Sequence, residues 1–380
     1  MSTPSRMAAR FFYSAKTQYF NAGDALINRE LLRLLRARGT VEIARCDAPE
    51  EYLSQLALGS GEARHGGRPG LIAAAFGAGL RYRLGLDGRR PYLALTPGDP
   101  FWGFGAGTIL TGLSMVALSI AGVRPIRLGV SFARRDPARL RWEAWMSRWG
   151  HALGLRDAAS LEITRRAGFA RVSYFPDLAL TLPVRPRAPR PAEAPLRIAV
   201  SCRLDKLGRE EASLLRARLA DILAHLSAAG PVSVAFVSQV RGDGARMNAD
   251  FEDIAARYKA EVIESIDLDA LALVYRDTDL VLSNRLHSLL YAAAQGCLPL
   301  GLLSPAHDYK ISGLLDTAGL ADFWESLDAR SPGFDLARLE AGRPAIRRAF
   351  ETGAATATAA LADLLGAPVH NGADARRRVA

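Results

Sequence analysis

Lysine is nearly absent from this chain. Its 49 basic residues comprise 45 Arg and only Lys16, Lys206, Lys259 and Lys310, against 39 acidic residues, for a formal charge of +10. A nucleic-acid face usually mixes both cations and clusters them with aromatics. Here the arginines are scattered, often on helix faces beside Glu or Asp, so nucleic acid is excluded as a partner. The basic excess suits an anionic membrane surface or a lipid-phosphate acceptor, and peripheral membrane association is expected. Cysteine is scarce too: Cys46, Cys202 and Cys297 are far apart and form no C-x-x-C pair. That excludes a disulfide framework and a zinc site, and it fits a reducing cytoplasm. No apolar run approaches the roughly 20 residues a membrane span needs. The longest, Ile109 to Gly122, reads as a buried helix, with a membrane-contacting surface as the second reading. The N-terminus lacks the apolar core of a signal peptide. The expected location is the cytoplasm, extending to the inner face of the membrane.

What is present is an ordinary globular composition, 49% hydrophobic and 23% charged, long enough for two cores. Strand-like runs at Arg10 to Ser14, Arg127 to Ser131 and Val172 to Phe175 alternate with helices, the first an amphipathic one over Asp24 to Arg38 ended by Gly39. Residues 183–195 then carry five prolines, which neither a helix nor a central strand accepts. The alternation restarts with a strand at Leu196 to Ser201 and a helix over Arg209 to Ala229. A strand at Val232 to Val237, a helix over Ala249 to Tyr258 and a short strand near Val262 follow. The expected division is an N-terminal α/β domain over 1–182 and a linker over 183–195. A C-terminal α/β domain over 196–333, a helical segment over 334–365 and a tail over 366–380 complete it. The fold class is α/β, with two doubly wound Rossmann-like domains facing across a cleft.

Residues 283–310 are the most informative. A buried strand at Leu280 to Leu282 hands over to a helix at Leu286 to Gln295. Gly296 stops that helix, and Leu298 to Leu303 forms the next strand. Arg285 and His287 therefore sit at a helix N-terminus, where unpaired N–H groups and the helix dipole at Leu286 favour an anion. Arg offers a forked donor for phosphate or carboxylate, and His a proton near neutral pH. The plain alternative is an Arg paired with a nearby carboxylate and a satisfied core imidazole. Asn21, Gly23 and Asp24 form a tight strand-to-helix turn, which on local grounds is a capped helix. Gly103-Phe-Gly-Ala-Gly107 is glycine-rich but lacks the Lys of a Walker loop. Arg203 closes the first strand of the second half. Arg156 and Asp157 read as a structural ion pair. His151 and His307 are further candidates for the cleft. No H-E-x-x-H or nucleotide fingerprint is found, so neither metal nor cofactor is expected.

Taken together, Arg-x-His, an Ala-rich helix, Gly, x-x-Pro, an apolar strand and Tyr309-Lys310 resemble the C-terminal signature of the polysaccharide pyruvyl transferase family. The Asn-x-Gly-Asp-x-Leu-Ile stretch resembles its N-terminal hallmark, and Gly129-Val-Ser131, Arg156-Asp-x-x-Ser160 and Pro176-Asp177 resemble segments between. The family usually carries a Gly-Gly-Gly-type loop where this chain has Gly103 to Gly107. The resemblance runs from about residue 10 to residue 315 and implies a two-domain GT-B-like architecture. It implies transfer of a pyruvyl group from phosphoenolpyruvate onto a sugar of a glycan or lipid-linked precursor, as a ketal. His287 and Asp24 are the implied catalytic residues. Arg285, Arg203, Asn21, Gly23, Leu286, Ser131 and Lys310 are the implied substrate contacts. The rivals are a GT-B glycosyltransferase using a nucleotide sugar, a non-catalytic glycan-binding member and a membrane-surface adaptor.

Overall fold

The computed structural model describes residues 9–98, 105–132, 137–187, 191, 193–327 and 334–366. It contains two six-stranded, all-parallel sheets. The chain divides into two compact units: Met1–Thr17, Ile27–Leu178 and Ala355–Ala380 form one, Gln18–Leu26 and Ala179–Ala354 the other. This differs in two places from a single cut at the proline-rich segment. Gln18–Leu26 groups with the second unit, and the end of the last helix groups with the first.

In the first unit the sheet order is β2-β1-β3-β4-β5-β6. Its strands are β1 (Ala9–Ser14), β2 (Gly39–Ala44), β3 (Pro91–Leu95), β4 (Arg124–Val130), β5 (Ala152–Leu155) and β6 (Val172–Tyr174). The connections are α1 (Ala22–Arg36), α2 (Glu50–Gln55) with α3 (Arg68–Arg83), α4 (Ala106–Ala121), α5 (Pro137–Ser147) and α6 (Ala158–Arg166). β3 and β4 are buried along their whole length, as expected of parallel strands covered on both faces. Gly39 begins β2 rather than ending a helix, since α1 already stops at Arg36. The Ile109–Gly122 run does form a helix, but it is not buried: Leu110, Leu113 and Ile120 are exposed. Glycine-rich residues Gly103 and Phe104, with Arg134 to Asp136, lie outside the described residues, and Gly105 takes the N-cap position of α4.

In the second unit the order is β12-β11-β10-β7-β8-β9. The strands are β7 (Leu196–Ser201), β8 (Val232–Ser238), β9 (Glu261–Glu264), β10 (Leu280–Ser283), β11 (Leu298–Leu303) and β12 (Trp324–Ser326). The helices are α7 (Arg209–Ala229), α8 (Asp243–Asp250), α9 (Glu252–Tyr258), α10 (Leu268–Arg276), α11 (Leu286–Ala294), α12 (Tyr309–Thr317), α13 (Leu336–Ala341) and α14 (Arg343–Gly366). β10 and β11 are fully buried and rich in Leu and Val, and burying each such side chain contributes about 1.5–3 kcal/mol. Gly296 ends α11 at φ 92°, a left-handed conformation that a side chain would strain. The strand order reverses between β7 and β10. In open parallel sheets a ligand crevice opens outside the carboxyl ends at such a point.

Candidate functional site

The carboxyl ends of β7, β8, β10 and β11 line a cavity of about 330 Å³ in the second unit. That is within the range of small-ligand pockets. Its lining includes Arg203, Lys206, Arg285, His287, His307 and Asp308, so cations outnumber acids.

The two switch-point strands are tied together just below it. The Ser283 hydroxyl donates to the Ser201 carbonyl at 2.6 Å and accepts from the Arg285 N–H at 2.9 Å. Asn284, 3% exposed, accepts from the Arg203 N–H at 2.9 Å and donates to the Arg203 carbonyl at 2.8 Å. One buried side chain therefore fixes the backbone that carries Arg203. Asn284 was not singled out in the sequence, because a double bond to residue 203 is invisible until β7 and β10 pair.

Arg285 takes the N-cap position of α11 in extended conformation and lines the cavity, as do Leu286 and His287 in the first turn. Its guanidinium pairs with Asp243 at the start of α8. Burial pulls its pKa below the usual range, and the Asp243 carboxylate opposes that pull. The plain alternative of a carboxylate partner is thus what the structure contains, with the side chain still at the cavity wall. Arg203 makes a forked pair with Asp205, at 2.7 Å for both arms.

The Asn21 loop belongs to this unit. Ala22 donates to the Gln239 carbonyl at 2.8 Å and Arg241 to the Phe20 carbonyl at 3.1 Å, so the segment runs antiparallel to the end of β8. The Arg241 guanidinium lies 4.2 Å from the Phe20 ring centroid. Asn21 lines the cavity and its amide oxygen accepts from the Gly23 N–H at 3.0 Å. Gly23 packs on His287, where a Cβ would fall 2.6 Å from Nδ1. Asp24 stands beside Asn21 at a long 3.5 Å and is not among the lining residues. Lys310 lies on α12 between Asp308 and Ile311, which do line the cavity.

Asp308 is the titratable group that sequence reasoning missed. Burial raises its carboxyl to about 6, although it accepts a 3.0 Å bond from the Ser304 N–H. The available signal was its place just beyond a central strand, the same logic that marked Arg203. His307, a candidate for the cleft, does line the cavity, with Nε2 3.0 Å from Glu211.

Ser131 sits elsewhere, in a buried network of the first unit. It donates to Asp157 at 2.8 Å and accepts from Arg156 at 2.8 Å, while Arg156 pairs with Asp177 at 2.5 Å. Asp157 also caps α6 by accepting from the Ser160 N–H at 2.7 Å. These groups satisfy one another, which fits an architectural role. His151 belongs to the first unit too, buried in the core with its pKa down to about 3.

The sequence profile of the polysaccharide pyruvyl transferase family matches residues 21–302. The chain belongs to that family. It is a transferase of polysaccharide biosynthesis, and the match spans Asn21, Asp24, Arg203, Arg285 and His287. No curated protein matches this family member. Among solved structures it is similar to the E. coli trehalose-6-phosphate structure bound with UDP-2-fluoro glucose, at 12% identity and TM-score 0.55, over 95% of this chain and 100% of the other. It is also similar to a glycosyltransferase from Rickettsia africae, at 10% identity and TM-score 0.53, over 94% and 96% of the two chains. A putative UDP-N-acetylglucosamine 2-epimerase from Listeria monocytogenes follows at 9% identity and TM-score 0.52, again over 94% and 96%. At such identities the likeness establishes the fold, the two-domain α/β architecture of GT-B enzymes.

Proposed function

We propose that this family member transfers the pyruvyl group of phosphoenolpyruvate onto two hydroxyls of a sugar in a glycan or lipid-linked precursor. The product is a cyclic ketal and phosphate is released. The observation that carries the reading is the cation-rich cavity at the switch point of the second unit, with Arg203, Lys206 and Arg285 beside the N-terminus of α11. Phosphoenolpyruvate carries a phosphate and a carboxylate, and guanidinium forks with helix N–H groups match both.

In the proposed reaction C3 of the enol takes a proton and becomes a methyl group, while one sugar hydroxyl adds to C2. The bond between C2 and the phosphate oxygen breaks, and the second hydroxyl closes the ketal at C2. Of the two hydroxyl protons, one balances the methyl group and the other leaves with phosphate. His287 is assigned the proton delivered to C3. Asp24 is assigned to orient or deprotonate the hydroxyl. Asp308, with its elevated pKa, is assigned the proton that accompanies the departing phosphate. The lipid-linked acceptor would place the protein at the cytoplasmic face of a membrane. Among the described residues no helix is long and apolar enough to cross one.

The test is a calorimetric titration with phosphoenolpyruvate beside a panel of nucleotide sugars. Saturable phosphoenolpyruvate binding, lost in Arg203→Ala and Arg285→Ala, is expected. His287→Ala should retain binding and lose ~10²–10⁴ in turnover. Binding of a nucleotide sugar in place of phosphoenolpyruvate would overturn the reading.

A further inference from the structure

The first unit carries an exposed apolar face that the pocket chemistry does not use. In α4, Gly112, Met115, Leu118 and Ala121 are buried. On its outer side Ala106, Leu110, Leu113, Ala117 and Ile120 recur at helical spacing, and all are exposed. Leu110 alone is 68% exposed. α4 packs against α3 on one side and α5 on the other. Gly79 of α3 and Gly112 of α4 make those approaches close, since a Cβ at Gly112 would strike Trp142 at 2.7 Å.

The topology puts the three helices on one face of the sheet. From β2 the chain crosses to β3, then β4, then β5, always in the same direction. Right-handed crossovers therefore lay α3, α4 and α5 side by side. Exposed Phe76 and Leu80 of α3, and Trp145 of α5 with Trp149 just after it, add large apolar side chains on the helices that flank the α4 stripe. Monomeric soluble proteins rarely expose such a face without a partner.

Charge selects the partner. α3 and α4 contain no Asp or Glu, and the single acid of α5, Glu143, is buried against Arg139. Exposed Arg81, Arg83, Arg141 and Arg148 border the apolar residues. A second copy docked about a twofold axis would bring this basic border against itself. An anionic bilayer complements it: guanidinium groups reach the headgroups while Leu, Phe and Trp enter the interface. We infer that the outer face of α3, α4 and α5 docks the protein onto an anionic lipid surface. This assignment is independent of the donor and the chemistry given to the pocket.

The experiment is co-sedimentation of the full chain with phosphatidylcholine vesicles, with and without phosphatidylglycerol. Tryptophan emission is recorded in parallel. Partition onto the phosphatidylglycerol vesicles with a blue shift is expected. Leu110→Ser with Leu113→Ser should abolish it, as should Arg81→Glu with Arg148→Glu, while circular dichroism and the phosphoenolpyruvate titration stay unchanged. Three results would overturn the assignment: no partition, equal partition onto neutral vesicles, or partition that survives both double variants. A fall in solution mass on the serine substitutions, without vesicle binding, would make the face a subunit interface instead.

Discussion

A side chain on Gly23 would reach within 2.6 Å of Nδ1 of His287. The first turn of α1 and the first turn of α11 are therefore in contact, and the imidazole position depends on Gly23 having no Cβ. Gly23 and His287 are far apart in the chain, yet both fall within the family match.

Gly23→Ala should displace the ring by a fraction of an ångström up to about 1 Å. If His287 delivers the proton as proposed, misplacing it on that scale costs ~10²-fold. The expected result is a fall in kcat of that order with the thermal midpoint nearly unchanged. Wild-type kcat in Gly23→Ala would show that the ring position does not matter for turnover.

Asp308→Asn tests the elevated carboxyl. Its folded pKa of about 6 lies above the ordinary value of 3.8. Between those values the folded state holds a proton that the unfolded state has released, so stability falls as pH rises through that window. The amide cannot ionise and should be more stable than wild type at neutral pH, by on the order of 1–2 kcal/mol after solvent screening at the cavity mouth. Denaturant unfolding at acidic and neutral pH reads this directly. Wild-type affinity for phosphoenolpyruvate should weaken as pH climbs through about 6, and Asp308→Asn should flatten that slope.

His151 gives the first unit an acid sensitivity of its own. Its ring is buried in the core and its pKa is driven down to about 3, first by burial and then by the Arg127 charge. Below about 6.5 the unfolded chain takes up a proton that the folded one refuses, so stability is lost as pH falls toward 3. The loss is on the order of 3–5 kcal/mol across that window. His151→Phe should remove much of it, visible as a flatter dependence of the thermal midpoint on pH. An unchanged dependence would assign the acid sensitivity to other groups.

Asn284→Ala should act on both stability and binding. It strands the Arg203 N–H and carbonyl, each now bonded to the amide. A buried polar group left unpaired costs about 1–3 kcal/mol. Chemical denaturation should report a loss of that size, and affinity for phosphoenolpyruvate should drop because Arg203 loses its anchor. Asn284→Asp restores only the acceptor and should fall between.

The sequence by itself determined the alternation of strands and helices and the place of Arg285 and His287 at a helix N-terminus. Alternation of apolar runs with amphipathic helices, punctuated by Gly and Pro, depends on neighbours a few residues away. It gave β7, α7 and β11 their observed bounds. For the same reason Arg285 and His287 were legible: a strand that hands over to a helix offers its N-terminus to an anion wherever the rest of the chain lies. Tertiary structure decided what those groups touch. Asp243 became the partner of Arg285, Asn284 the anchor of Arg203, and Asp308 a carboxyl raised by burial, because β7, β8, β10 and β11 bring their carboxyl ends together. Ser131 and His151 went to the buried interior of the first unit for an equally non-local reason. The α4 stretch was the plainest divergence. A helix apolar all round reads as buried, and only the packing of α3, α4 and α5 on one face of the sheet decides which of its sides meets solvent.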